Sequence, residues 1–380
     1  MKSILQLDSK IDIVKAIGII LMVFYHAGAP GKNFVYLFHM DLFFISSGYC
    51  YRHDSEKKPW EYVKREILTL YVPFVVSCIV LVSLQNLILE TYIFSCDVYN
   101  KLTLGMWLKE VMKCFFFVGA QQMLGANWFF RTLFVSSILF MFLNLLINSL
   151  IRNQSLVRIL RALICFTLTI IGGLLGQQLS LGKYFNILTV MTLLDIGLQV
   201  KELAFLNYID TRIKKIVSLL VCFIILLVLN QYGEISINRN IITNPFYFLI
   251  CSSAGFVIVY LIADFISKTE LNDCFIYLGR ESLWVMYFHY IGFIIVIFAQ
   301  ILILNEPITN LSAYPTHHTV YAMWMIYGLA GILIPMMMVK KGTKIRNVVI
   351  KQQYSLMFGL STKHQKILPL EIIQRKKVLK

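Results

Sequence analysis

The chain has 380 residues, 58% of them hydrophobic, with a mean hydropathy of +0.72 and a formal net charge of +15. Only 14% of the residues are charged, against about 25% in ordinary soluble domains, which excludes a soluble domain of this length, and the apolar excess runs the length of the chain rather than marking one anchor. The basic balance does not point to nucleic acid, because the cations cluster between apolar runs and in the tail after Val339, the pattern by which a membrane protein sets its orientation.

Apolar runs of membrane-spanning length fall near 11–29, 34–51, 67–89, 127–150, 157–179, 184–200, 214–231, 245–266, 277–304 and 317–339. They predict an all-α polytopic membrane protein with about ten transmembrane helices. The second and sixth runs are the shortest. The first run carries Asp12 and Lys15 near its start and no small-residue cleavage pattern, so it reads as a retained helix rather than a signal peptide. The stretch 104–118 sets Lys109, Glu110 and Lys113 among aromatic residues and reads as an interfacial amphipathic helix. The transmembrane domain is expected over 1–340, followed by a basic cytoplasmic tail over 341–380.

Loop charges test the count. With the N-terminus inside, most of the 35 Lys and Arg fall in the inside segments or the tail, while the outside loops hold only Lys32, Lys101, Lys109, Lys113, Lys183 and Arg239. This asymmetry supports an even number of spans with both termini cytoplasmic. No internal repeat is visible, so an inverted-repeat transporter gains no support. None of the eight cysteines forms a C-x-x-C pair, and no Cys/His cluster has zinc spacing, so no metal is expected.

Ionisable residues inside a membrane are costly and are therefore functional candidates. Lys15 and His26 stand eleven residues apart on the first helix. Eleven residues make about three turns, so the two share one face about 16 Å apart. Lys15 lies near the cytoplasmic end and His26 near the outer end. That arrangement suits a donor with anionic groups at the inner surface and a reactive end deeper in, where histidine is the natural general base. The competing reading makes Lys15 a snorkelling cation and His26 a packing residue. The second run enters from outside with His39 and Asp41, at the level of His26, where a carboxylate could orient a histidine. Ser46, Ser47 and Gly48 suit close helix packing.

These residues resemble the acyltransferase 3 family of bacterial membrane O-acyltransferases, most closely its fucose 4-O-acetylase-like branch. The matching features are a basic residue, ten residues and a histidine (Lys15 to His26), then Phe38-His39-Met40-Asp41-Leu42-Phe43-Phe44-Ile45-Ser46-Ser47-Gly48-Tyr49. Asn127-Trp128-Phe129-Phe130-Arg131 and Leu278-Gly279-Arg280-Glu281-Ser282-Leu283, leading to His289, complete the series. The resemblance covers about residues 8–340 and implies transfer of an acyl group, usually acetyl, from cytoplasmic acyl-CoA to a hydroxyl of a cell-surface glycan or lipid-linked sugar. It places the protein in the bacterial cytoplasmic membrane and requires no permanently bound cofactor, acetyl-CoA being a substrate. It makes His26 the essential histidine, with His39 and Asp41 beside it, and assigns the donor to Lys15, with Arg280 and Arg65 as further contacts. Arg131 and His289 are the candidate acceptor contacts, although Arg131 could instead pair with Asp41. Counted at 100° per residue, His289 falls on the opposite side from Arg280, which favours a core role for it.

Two departures stand out. Lys64 and Arg65 precede Pro73, but Leu68 occupies the place of the family's second arginine, and Asp41 replaces the proline common after His-Met. His317 and His318 open the last run and read as wet interfacial residues. Asp195, in the sixth run, needs a partner that the sequence does not name. The rival from another class is a secondary transporter or flippase for a glycan-related substrate, which has no evident need for the Lys15–His26 stripe.

Overall fold

The structure, a computed structural model, describes residues 2–94, 99–118, 127–179, 181–313, 315–317 and 322–358, with side chains described outside 2–8, 127 and 341–358. It opens with α1 (Lys2–His26), a 25-residue helix whose Ile11, Val14, Ala16, Ile19, Met22 and Val23 are all buried. The helix ends in a turn at which Gly28 and Gly31 take φ of 81° and 75°, a region that costs a residue with a Cβ. The chain then re-enters the bundle through α2 (Lys32–Tyr36) and, after a turn over 37–40, α3 (Asp41–Cys50).

The next elements are α4 (Asp54–Lys57), α5 (Pro59–Glu66) and α6 (Val72–Glu90), the last two joined by a π-helical turn over Ile67–Tyr71. Pro73 supplies the reason for that turn. It has no N–H to offer the carbonyl four residues back, so the ladder shifts by one residue before it. There follow α7 (Leu104–Phe115), α8 (Asn127–Leu150), α9 (Gln154–Gln178), α10 (Asn186–Thr189), α11 (Met191–Glu202) and α12 (Arg212–Leu229). A two-stranded antiparallel hairpin, β1 (Ile235–Ser236) and β2 (Ile241–Ile242), leads to α13 (Pro245–Ile266), α14 (Asn272–Arg280), α15 (Ser282–Leu304) and α16 (Met323–Phe358).

Among the described residues six helices are long and apolar enough to cross a membrane: Pro59–Glu90, Trp128–Leu150, Gln154–Gln178, Pro245–Ile266, Ser282–Leu304 and Met323–Lys340. The protein is therefore an all-α polytopic membrane protein. Its outer surface says the same. Leu68 in the π-helical turn and Val72, Val76, Val80, Leu84 and Leu87 in α6 form one exposed stripe, at the spacing of one helix face, a surface suited to lipid.

The two shortest predicted runs are broken helices. α3 and α11, with 10 and 12 residues, rise only about 15 and 18 Å, against a hydrocarbon core of about 30 Å. Each follows a shorter helical piece, α2 before α3 and α10 before α11, so hydropathy reads each pair as one span. The two half-helices pack on each other. A Cβ added to Gly48 would lie 1.9 Å from the Leu194 carbonyl oxygen, and one added to Gly197 would lie 2.0 Å from that of Ile45. Lipid supplies no hydrophobic drive between helices, so such close contact and interhelical polar bonds hold them together. The last run also differs from the sequence reading: its helix begins at Met323 rather than near 317, and it continues without a break at 340 to Phe358.

Polar contacts gather the segments into two ends. At one, Lys10, Lys215 and Lys268 converge on Asp264, the latter two at 2.7 and 2.8 Å. At the other, the hairpin is tied down by Tyr36 Oη to Ser236 Oγ at 3.0 Å and by Asn186 Nδ2 donating to the Ile237 carbonyl at 3.1 Å. These groupings match the alternation of basic and less basic loops in the sequence.

Candidate active site

The unbroken α1 carries Lys15 near its middle and, three turns on along one face, His26 at its C-terminal end. At the basic end, Asp12 accepts from both cations of the region: Lys15 Nζ at 2.7 Å and Arg280 Nε at 2.9 Å. Asp12 and Lys15 are three residues apart, one helical turn, whereas Arg280 arrives from the last residue of α14. The Lys15 side chain is 26% exposed and that of Arg280 64%, so the cations face open space at the rim. Arg65 lies elsewhere. It pairs with Glu66 at 3.1 Å and stacks over the Tyr62 ring at 4.7 Å, and none of its described contacts reaches Lys15 or Arg280.

At the other end His26 sits in a continuous run of rings. Its Nδ1 is 3.1 Å from Tyr290 Oη, its ring centroid is 5.3 Å from that of His289, and Tyr25 meets it edge-on at 5.3 Å. Tyr25 in turn stacks on His39 at 5.5 Å and on Tyr36 at 4.9 Å. Three histidines thus share one aromatic cluster.

The hydrogen bonds bias their tautomers. His39 Nδ1 lies 3.0 Å from the Val35 carbonyl, and His289 Nδ1 lies 3.0 Å from that of Met286. A carbonyl only accepts, so Nδ1 carries the proton in both neutral rings and Nε2 holds the lone pair. Among the described residues, His289 Nε2 is buried without a partner, as is Tyr287 Oη. Buried polar atoms left unpaired are rare, and each calls for a partner such as water or a bound molecule.

His289 therefore belongs to the His26 cluster. The angular count from Arg280 misleads because α14 ends at Arg280 and α15 begins at Ser282. A rotation of 100° per residue cannot be carried across that break.

Asp41 is buried but does not orient His26. Its Oδ2 accepts from Ser252 Oγ at 2.6 Å, and among the described residues no cation meets it. Arg131 does not pair with Asp41 either. Its guanidinium lies 4.4 Å from the Tyr184 ring and donates to Asn186 Oδ1 at 3.3 Å and to the Lys183 carbonyl at 3.4 Å, while its Nε stays unpaired. It faces the loop before α10, away from the histidines. His317 pairs with Glu306 at 2.5 Å rather than standing in water, and His318 lies outside the described residues.

The partner of Asp195 is Arg161. Arg161 is fully buried in α9, and its Nε meets Asp195 at 2.5 Å. It also donates to Glu202 at 2.8 Å and to Asn144 at 3.2 Å. Glu202 extends the network to His53 at 2.8 Å, and His53 also meets Glu56 at 2.8 Å. Hydrogen bonds donated by the imidazole to Glu202 and then to Glu56 raise the His53 pKa to about 9. Sequence reasoning also missed Tyr290 and Asp12 as site residues. A signal existed for Asp12 in the opposite charges three residues apart.

A sequence model of the acyltransferase 3 family, described as an acyltransferase domain, matches residues 8–339. The chain belongs to the acyltransferase 3 family. The chain matches no curated protein, and it matches no solved structure. Membership makes it a membrane acyltransferase, and the matched domain contains both Lys15 and His26.

Proposed function

We propose that the protein is an acyl-CoA-dependent O-acyltransferase of the bacterial cytoplasmic membrane, with its basic end cytoplasmic. It would move an acetyl group to a hydroxyl of a cell-surface glycan or lipid-linked sugar. The observation that carries this reading is the single helix α1, with a cation cluster at Lys15 and Arg280 beside its middle and His26 at its C-terminal end. The two are about 16 Å apart along the axis. A donor with phosphates at one end of a long arm and a thioester at the other fits that separation.

In the proposed reaction the acceptor hydroxyl approaches His26 from the hairpin end. When His26 Nδ1–H donates to Tyr290 Oη, Nε2 is free to take the hydroxyl proton. The hydroxyl oxygen then attacks the thioester carbonyl, an O–C bond forms, the C–S bond breaks, and the proton passes from the imidazolium to the CoA sulfur. Holding both reactants in one bundle supplies much of the acceleration. His289, whose ring lies beside that of His26, has its Nε2 unpaired among the described residues and offers an acceptor for the reacting groups.

Calorimetric titration of the detergent-purified protein with acetyl-CoA tests the donor assignment. Saturable binding is expected for wild type and for His26→Ala, with about tenfold weaker binding for Lys15→Ala, the size of one lost charge-assisted bond. Absence of acyl-CoA binding by folded wild-type protein would overturn the reading and favour a transporter.

A further inference from the structure

Where α12 and α13 meet at the basic end, three ammonium groups share one carboxylate. Asp264 is buried in the last turn of α13. Lys215 of α12 and Lys268, just past α13, reach its Oδ2 at 2.7 and 2.8 Å, and Lys10 of α1 pairs with its Oδ1. Among the described residues no second carboxylate pairs with any of the three. Lys214 has its own partner in Asp210 at 2.8 Å, as Lys15 and Arg280 have theirs in Asp12. One carboxylate offsets one cation, so this cluster keeps a positive excess. The side chains of Lys10, Lys215 and Lys268 are 15%, 29% and 63% exposed, a gradient that leads from the interior of the bundle to its surface.

The surface beside these lysines is apolar. On α12 the residues Ile213, Ile216, Val217 and Leu220 are exposed, at the spacing of one helix face. On α13 the residues Ile262 and Phe265, flanking Asp264, are exposed as well. A free phosphate would meet the charges and leave this surface bare. A molecule with an anionic head and a hydrocarbon chain meets both. Basic pockets between membrane helices hold the head groups of anionic lipids in this way. The cluster is also set apart from the cations proposed for the donor. Lys10 and Lys15 are five residues apart on α1, so they point about 140° away from each other.

We infer that Lys10, Lys215 and Lys268 form a binding site for an anionic phospholipid, with its phosphate on the lysines and an acyl chain along the exposed face of α12 beside Ile262 and Phe265. The inference does not rest on the acyltransferase reading. Its consequence is mechanical: the head group fastens α1, the helix that carries His26, to α12 and α13.

Melting curves of the detergent-purified protein with added phosphatidylglycerol, phosphatidylcholine of the same chains, or inorganic phosphate test the site, since a ligand of the folded state raises the melting temperature by mass action. Wild type is expected to gain more from phosphatidylglycerol than from phosphatidylcholine and nothing from phosphate. The apparent affinity for phosphatidylglycerol should fall about fivefold for each of Lys215→Gln and Lys268→Gln. The double variant Lys215→Arg/Lys268→Arg, which keeps the charge, should retain the preference and guards against a loss caused by misfolding. Lys57→Gln/Lys58→Gln, which removes the same charge from side chains 78% and 67% exposed on α4 and beside it, should also retain it. Equal gains from the two lipids, or an equal loss in the Lys57/Lys58 variant, overturn the site in favour of unspecific attraction. Protection by inorganic phosphate alone overturns the lipid in favour of a simple anion. If Lys215→Gln/Lys268→Gln instead weakens acetyl-CoA binding in calorimetry, the lysines serve the donor and the lipid site falls.

Discussion

The half-helices α3 and α11 lie against each other, and each buries one aspartate, yet the two carboxylates live in different company. Asp195 is met by the guanidinium of Arg161 and by Gln199 Nε2 at 2.8 Å. Asp41 is met by the hydroxyl of Ser252, and among the described residues by no cation. A buried charge costs several kcal/mol unless it is paired. The α11 side is balanced and reads as architecture. The α3 side is unbalanced and lies on the segment that brings His39 into the histidine cluster, which is where a membrane protein keeps its expensive groups for function.

The comparison can be broken by mutation. His26→Ala should lower acetyl transfer about 10²–10⁴-fold, the usual contribution of a general base, while the melting temperature stays near wild type. Transfer is read as CoA release, and an equal loss of stability would place His26 with the architecture. Arg161→Met should do the reverse. It strands Asp195 and Glu202 without their cation and should cost about 3–5 kcal/mol of stability, seen as a large fall in melting temperature in detergent.

A finer cut comes from Asp41→Asn. The amide oxygen can still accept from Ser252, so stability should change by about 1 kcal/mol or less. If that variant melts as early as Arg161→Met, the two aspartates are not different in kind.

The smallest expected effect is a pH dependence at the edge of the α11 network. The His53 pKa is raised from its ordinary 6.5 to about 9 by Glu202 and Glu56. A group with a raised folded pKa stabilises most below its unfolded value and loses that contribution as pH rises through the folded one. Wild type should therefore lose a few degrees of melting temperature between pH 7 and pH 10 that His53→Gln does not lose. The side chain is 45% exposed, which keeps the effect small. Parallel curves for the two proteins would remove His53 from the network.

Much of this was legible in the sequence because α1 is one unbroken helix. The Lys15–His26 spacing could be projected onto a face, and the structure keeps both residues on one continuous helix. Projection failed wherever a helix broke. The turn over 37–40 contains no glycine or proline, so nothing in composition marks α2 and α3 as separate pieces. His289 was assigned to the wrong side because its angle was counted through the junction at Glu281. Arg161 escaped notice for a different reason. Loop charges and buried charges look alike in a sequence, and its partner Asp195 is 34 residues away.

The bond from Asp12 to both Lys15 and Arg280 has a consequence for which anions the protein admits. In the resting state the two cations already own a negative partner, so a lone chloride or carboxylate gains little by replacing it. Only a ligand that brings several negative charges at once can displace Asp12 and still come out ahead. If the donor binds at Lys15 and Arg280 as proposed, an internal counter-ion of this kind would work as a threshold, passing polyphosphorylated molecules and ignoring the crowd of small anions around them.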